Sequence, residues 1–305
     1  MLAEENSAPL FPPLKRLKSL AKTTTATTAN SKPRALSKPK PKAQKALTQL
    51  HFNIDQSILR TCKLCDLSYT KGAPDDEALH RAHCSRVRQG MEWGREEEKD
   101  RMRGAENVIR ELKTDVKLKG SKKKGRVICL PADVGGKLGA KLTTLFQTIN
   151  ISLSSPELPL SALQCSKAYL FLLPHETLPY RERIVGCVIA QRISTAMAVV
   201  PMPLPSNEST CVTEAATPIP VDAATNLFCS PTPLPTPMGI SRLFVSSSHR
   251  RLGIARTLLD AAAATFIHGC PLDSCNGQVA FSQPTGMGQA VMKSWGKGGV
   301  RVFEE

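Results

Sequence analysis

The sequence predicts a mixed α/β domain, and three observations predict it. Short apolar runs with strand character recur from residue 126 onward, segments with helical periodicity separate them, and the connections are short. Hydrophobic residues make up 41% of 305, enough to bury a sizeable core in one or two domains. Aromatics are only 5%, so that core is largely aliphatic.

The elements follow in chain order. Arg126 to Leu130 reads as a short buried strand, and Leu138 to Ile151 carries helical spacing at Leu138, Leu142, Leu145 and Ile149. Ala168 to Leu173 and Arg183 to Ala190 read as two strands of a hairpin. At about 199–237, nine of the 23 prolines fall among Ser, Thr and Ala, a composition that supports neither helix nor ladder and predicts a surface insertion. Beyond it, Ser241 to Val245 reads as a strand, Gly253 to Phe266 as an Ala-rich helix and Val279 to Phe281 as a further strand; Trp295 to Phe303 supplies the last one.

Composition excludes several classes. No apolar run reaches 18 residues, so no membrane-spanning helix is expected. The start is acidic and lacks a continuous apolar stretch, so it does not read as a secretory signal. Ten Cys without such a signal read as thiols or metal ligands. The net charge of +15 is uneven: residues 1–50 hold 8 Lys and 2 Arg against Glu4 and Glu5, or +8. That stretch has one aromatic, Phe11, and buries too little to order itself, so residues 1–55 are expected to be a disordered basic tail. Its clusters, Lys15 to Lys18 and Lys32 to Lys45, suit nuclear import or phosphate contact, or are a solvated tail.

Residues 56–92 read as a ββα-like zinc module. Fourteen residues separate Cys65 of Cys62-x-x-Cys65 from His80, and His83 and Cys84 follow. A two-cysteine knuckle with two ligands on a helix face matches tetrahedral zinc. Pro74 and the acidic run Asp75-Asp76-Glu77 mark the helix start. His83 and Cys84 are both candidates for the fourth ligand; the spacing of four favours Cys84. Such a segment has little core of its own, and zinc contributes roughly 10–16 kcal/mol to folds of this kind.

A second motif, Arg250-Arg251-Leu252-Gly253-Ile254-Ala255-Arg256, lies between a strand and a helix. Gly253 and Ala255 leave backbone open to close approach, and first-turn N–H groups with three arginines make a cradle for a pyrophosphate. An ordinary basic helix start is the competing explanation.

Taken together these residues resemble the Eco/ESCO family of sister-chromatid cohesion acetyltransferases. The resemblance is carried by Cys62-x-x-Cys65 with Ser68-Tyr69 and Asp75 to His80, by Arg183 to Val188, Gly239 to Val245, Arg250 to Ala255, Phe266 to Gly269 and Phe281 to Thr285, in that order. It covers about residue 44 to the end and has the character of a compact fungal-type member. It implies a GNAT-type N-acetyltransferase fold over 105–305, behind the finger. It implies acetyl-CoA and zinc as cofactors, a nuclear, chromatin-associated enzyme, and lysine acetylation of the SMC subunit of cohesin during DNA replication. The cofactor would run along Leu243, Phe244 and Val245, with its pyrophosphate at Arg251, Leu252, Gly253, Ile254, Ala255 and Arg256; Thr285, Gly286 and Met287 match a further contact loop.

The chemistry needs a neutral lysine amine, and deprotonation from a pKa near 10.4 at pH 7 costs about 4.6 kcal/mol. The family implies an acid where Asp260 stands and can place an Asp where Gln283 stands. Gln283 cannot accept a proton as a base, which leaves it orienting the amine or a water and makes Asp260 the base candidate, against the alternative of an exposed helix acid. Ahead of the finger, Gln44, Leu47 and Leu50, followed by His51-Phe52, resemble a box for docking on the replication sliding clamp, with its aromatics displaced by one residue. A zinc-finger chromatin- or DNA-binding factor with a weak acetyltransferase-like domain is the competing reading, supported by the +15 charge and by Gln283. An acetyltransferase for small amines is a third.

Overall fold

The computed structural model describes residues 59–94, 108–175, 178, 181–200, 219–222 and 227–305. The basic clusters and the sliding-clamp box at 44–52 lie outside them. Two strands, β1 (Leu59–Thr61) and β2 (Ser68–Thr70), pair antiparallel and lead into helix α1 (Pro74–Gln89). Pro sits at the start of α1, three acids fill its first turn and Arg86 and Arg88 its last, so both ends complement the helix dipole. The chain leaves through β3 (Met91–Trp93), which pairs antiparallel with the far larger sheet, and Trp93 is buried there. Arg86 Nε donates to Thr148 Oγ1 at 3.0 Å, a second tie between the finger and that sheet's flanking helix.

The large sheet continues with β4 (Arg110–Lys117), β5 (Lys124–Pro131), helix α2 (Gly136–Leu153), the short α3 (Leu160–Gln164), β6 (Ser166–Pro174), β7 (Glu182–Arg192), β8 (Thr195–Val200), β9 (Ile219–Asp222), β10 (Leu227–Pro235) and β11 (Met238–Val245). Helix α4 (Ile254–Thr265), β12 (Val279–Phe281), helix α5 (Gly286–Gly296) and β13 (Arg301–Val302) complete it. The strand order is β4-β5-β6-β7-β11-β12-β13-β8-β10-β9, with β3 on β7; only β11–β12 and β12–β13 are parallel. Side chains alternate across the middle strands. Tyr169, Phe171, Val185 and Val188 face one core with α4 and α5, while Ala168, Leu170, Leu172, Ile184 and Ile189 face another with α2. The sheet is thus covered on both faces, which explains why β6 and β7 read as near-continuous apolar runs.

Helix α4 sits close on the sheet because Gly186 has no side chain: a Cβ there would meet Ile254 at 2.7 Å and Leu258 at 3.0 Å. Buried Ile254, Leu258, Leu259, Ala261 and Ala262 form its inner face, each large apolar residue contributing about 1.5–3 kcal/mol by burial. Arg242 is 3% exposed. It donates from Nε to Asn150 Oδ1 (3.1 Å) and from Nη2 to Pro156 O (2.8 Å), and it pairs with Glu305, binding β11 to α2 and the last residues.

Two expectations are corrected, and one strand was not foreseen. The proline-rich stretch 199–237 was expected to form no ladder, yet β10 pairs with β8 through Pro233 and Pro235 and with β9 through Leu227 to Cys229. Beyond Cys229, β8 is its only strand partner among the described residues, and a bulge separates Cys229 from Pro233, the kind of irregularity at which a ladder tolerates proline. Trp295 was expected in the last strand but lies in α5, where it and Met292 are buried at helical spacing; β13 is only Arg301–Val302. Strand β4, RELKTDVK, was not foreseen, because an edge strand with mostly exposed charges lacks an apolar signature.

Candidate active site and metal centre

The finger brings four ligand atoms together. Cys62, Cys65, His80 and Cys84 hold theirs within 4.8 Å of one another, and His83 is not in the cluster. The knuckle closes through Asp66 N–H to Cys62 O at 2.8 Å and Cys62 N–H to Leu67 O at 2.9 Å. His80 stacks on Tyr69, ring centroids 4.1 Å apart and 4° from parallel, which fixes its ring; its Nε2 is buried with no hydrogen-bond partner. Burial raises Cys65, and nearby Cys84 and Cys62 raise it further, to about 12. Burial also raises Cys84. Burial raises Cys62 too, but hydrogen bonds led by Leu64 N–H outweigh it and lower the thiol to about 6. Three thiols packed this closely cannot all ionise without a cation. A dication relieves their repulsion and satisfies His80, so this donor set fits tetrahedral zinc, with every position filled by protein. His83 instead packs inward, and burial lowers its pKa.

The second site lies where two parallel strands part. Strand β12 follows β11 only from Met238 to Ile240, and Ser282 N–H caps the split by donating to Ile240 O at 3.0 Å. Past that point β11 keeps β7 as its strand partner but has none on the opposite side among the described residues. A crevice outside the carboxyl ends of parallel strands is a common place for a ligand. Here it is a cavity of about 620 Å³.

Leu243, Phe244 and Val245 form one wall, Gly253 to Arg256 the rim, and Thr285, Met287, Gly288 and Val291 the facing wall. Gly253 caps α4 at φ 86° and ψ 0°, with no side-chain cap on the first-turn N–H groups; a Cβ there would meet no atom within 4 Å, so its backbone conformation rather than space favours glycine. Thr285 caps α5, its hydroxyl accepting from Gly288 N–H at 3.4 Å. Two helix N-termini therefore meet one cavity. Among the described residues its lining includes Lys119, Arg250, Arg251 and Arg256 and no acidic side chain. Apolar on its walls and cationic at its rim, the cavity can hold an extended apolar arm ending in phosphate.

Of the expected cofactor residues, Leu243, Phe244, Val245, Arg251, Gly253, Ile254, Ala255, Arg256, Thr285 and Met287 line this cavity; Leu252 and Gly286 do not. Asp260 lies outside the lining, one step behind it. Its Oδ1 accepts from Trp295 Nε1 at 2.7 Å, and Trp295 is in the wall; its Oδ2 is 3.9 Å from Arg256 Nε, with the side chain 46% exposed. Gln283 is exposed, directly after the split at Ser282. Lys119 and Trp295 were missed as lining residues, whereas Arg250 was placed in the cradle but not among the cofactor contacts. For Arg250 the signal was present in the basic motif itself; Lys119 and Trp295 come from turns and helices far away in sequence.

Two family descriptions match this chain: "zinc-finger of acetyl-transferase ESCO" over residues 49–86 and "ESCO1/2 acetyl-transferase" over 234–303. The two ESCO descriptions match in that order, one over the finger and one over the strand split and the basic turn. It is similar to N-acetyltransferase ECO1 of Yarrowia lipolytica, 26% identical over 266 residues, covering 87% of this chain and 78% of that protein. It is also similar to N-acetyltransferase ESCO2 of Mus musculus, 29% identical over 227 residues, 73% of this chain but 31% of that protein. Among solved structures, the xEco2 acetyltransferase domain bound to a CoA conjugate aligns with 64% of this chain and 98% of its own length, at 23% identity and a TM-score of 0.47. The ESCO finger match contains all four clustered ligands, and the ESCO acetyltransferase match contains the strand split, the cradle and both helix starts.

Proposed function

We propose that this chain transfers the acetyl group of acetyl-CoA to lysine on the SMC subunit of cohesin, in the nucleus and on chromatin, to establish sister-chromatid cohesion during DNA replication. The observation that carries the reading is the cavity at the split of β11 and β12, with two helix N-termini and four cations on its lining. The pantetheine arm lies along Leu243, Phe244 and Val245 and pairs with backbone that β12 leaves free. The pyrophosphate meets the turn Arg251 to Arg256, with Thr285, Gly286 and Met287 opposite. Zinc, held by Cys62, Cys65, His80 and Cys84, supports the finger and takes no part in the transfer.

Asp260 accepts the proton of the incoming ammonium, directly or through one water, through Oδ2, while Oδ1 keeps Trp295 in place. Gln283 orients the amine or that water. Backbone N–H groups of β11 would stabilise the oxyanion as the amine attacks the thioester carbonyl; the C–S bond would then break, and coenzyme A would leave as its thiol. The tail before the finger, through Gln44, Leu47 and Leu50, docks on the sliding clamp.

The test is acetyl transfer by the zinc-loaded chain to a purified cohesin ATPase head, read by mass spectrometry. Acetylation of neighbouring lysines is expected for the wild type and its loss for Asp260→Ala. A folded chain that binds acetyl-CoA yet acetylates nothing would favour a chromatin-binding factor instead.

A further inference from the structure

We infer that the turn at Lys119 builds a subsite for a second, monoester phosphate, so that the site selects a donor carrying the 3′-phosphate of coenzyme A over the same donor without it. The inference rests on reading the cavity as an acetyl-CoA site. A pyrophosphate alone does not account for the charge on the lining. Arg250 is already engaged, its Nε on Val245 O at 3.3 Å and its Nη1 on Met287 Sδ at 3.6 Å. Arg256 leans on Asp260. Among the described residues the side chains of Arg251 and Lys119 make no hydrogen bond or ion pair, and no carboxylate lines the cavity. With the free first-turn N–H groups of α4 and Arg251 serving the pyrophosphate, Lys119 is left for another anion.

Lys119 is held where it can do this. It stands in the β4–β5 turn, whose neighbour Leu118 is buried in the core beside α4. Its own N–H donates to Leu252 O at 3.0 Å, clamping the turn to the residue before Gly253. Leu118 N–H to Lys123 O and Ser121 N–H to Leu118 O close the turn, and Gly120 at φ 73° completes it. The turn Leu118–Lys123 contributes three lysines and no acid. The backbone is thus fixed against the cradle while the ammonium remains free at the rim. A compact ammonium with three rotatable donors suits a terminal dianionic phosphate, which does not demand the planar fork of arginine.

The experiment measures Kd for coenzyme A and for 3′-dephospho-coenzyme A by calorimetry on the full zinc-loaded chain, alongside acetyl transfer from both thioesters. The wild type is expected to bind coenzyme A roughly tenfold tighter, the scale of one charge-assisted contact. Lys119→Gln is expected to erase that preference by weakening coenzyme A alone, Lys119→Arg to keep most of it, and Lys113→Gln, on the outer strand away from the cavity, to keep all of it. Equal Kd values in the wild type, no binding of either compound, or an equal loss for both in Lys119→Gln would overturn the subsite. Preferential binding without acetyl transfer would keep the subsite and overturn the acetyltransferase reading.

Discussion

At the scale of single residues the proton transfer proposed for Asp260 can be separated from its hold on Trp295 by one atom. Its carboxylate holds Trp295 Nε1 at 2.7 Å and is also the proposed base. Asparagine can still accept the indole N–H but cannot take a proton. Asp260→Asn is therefore expected to lower kcat by roughly 10²–10⁴-fold while leaving KM for acetyl-CoA unchanged. If Asp260 only positions Trp295, Asp260→Asn keeps its rate and Asp260→Ala alone loses it. Gly253 separates charge from conformation in the same way. Asp and Asn both tolerate the left-handed backbone at φ 86°, so strain is similar in the two variants. A carboxylate about 4 Å from a phosphate costs about 4 kcal/mol at an effective dielectric of 20. Gly253→Asp is expected to weaken acetyl-CoA binding about a thousandfold and Gly253→Asn far less, read by calorimetry.

At the scale of elements the finger is welded to the enzyme rather than strung before it. Its exit strand β3 pairs with β7 through Met91–Ile184 and Trp93–Glu182, immediately beyond the point where β11 stops at Val245–Gly186. Helix α1 also packs on α2 and on the turn at 247–249 that leads into the cradle. Cys62→Ser is expected to abolish zinc retention, measured by atomic absorption. It is also expected to lower the melting temperature of the whole chain, because unfolding α1 exposes Trp93 and the side of β7 it covers. A chain that keeps stoichiometric zinc after Cys62→Ser would contradict the ligand set, and an unchanged melting temperature in a zinc-free chain would contradict the weld.

At the scale of the whole molecule, buried Arg242 joins parts that are distant in sequence. It reaches Asn150 in α2, Pro156 beyond it and Glu305 at the end of the chain from a single position on β11. Removing it strands Asn150 Oδ1 and leaves the Glu305 carboxylate, only 23% exposed, without its cation. Arg242→Ala is expected to destabilise by about 3–5 kcal/mol, read as a lower urea midpoint with unchanged slope. A midpoint within experimental error of the wild type would show that solvent satisfies these groups.

The sequence alone determined whatever is local. The Cys62, Cys65, His80 and Cys84 cluster is set by spacing along a knuckle and one helix turn, the basic turn before α4 by seven consecutive residues, and strands β5, β6, β7 and β11 by apolar runs that two covered faces require. Cys84 rather than His83 entered the ligand cluster, as the spacing of four favours, but that took the packing of α1, which turns His83 inward. The proline-rich ladder escaped composition because a proline is tolerated or not according to which side of its strand has a partner, a relation between strands. Helix α5 escaped because Thr285 to Met287 looked like a loop until Met292 and Trp295 found a core to bury in. The cavity itself belongs to the tertiary structure. It draws on residues 119, 243–245, 253–256, 285, 287, 288 and 295, brought together only because β11 and β12 run parallel and then part. Local pattern records which residues favour a strand or a helix start. It does not record which strand loses its neighbour, and here that loss opens the site.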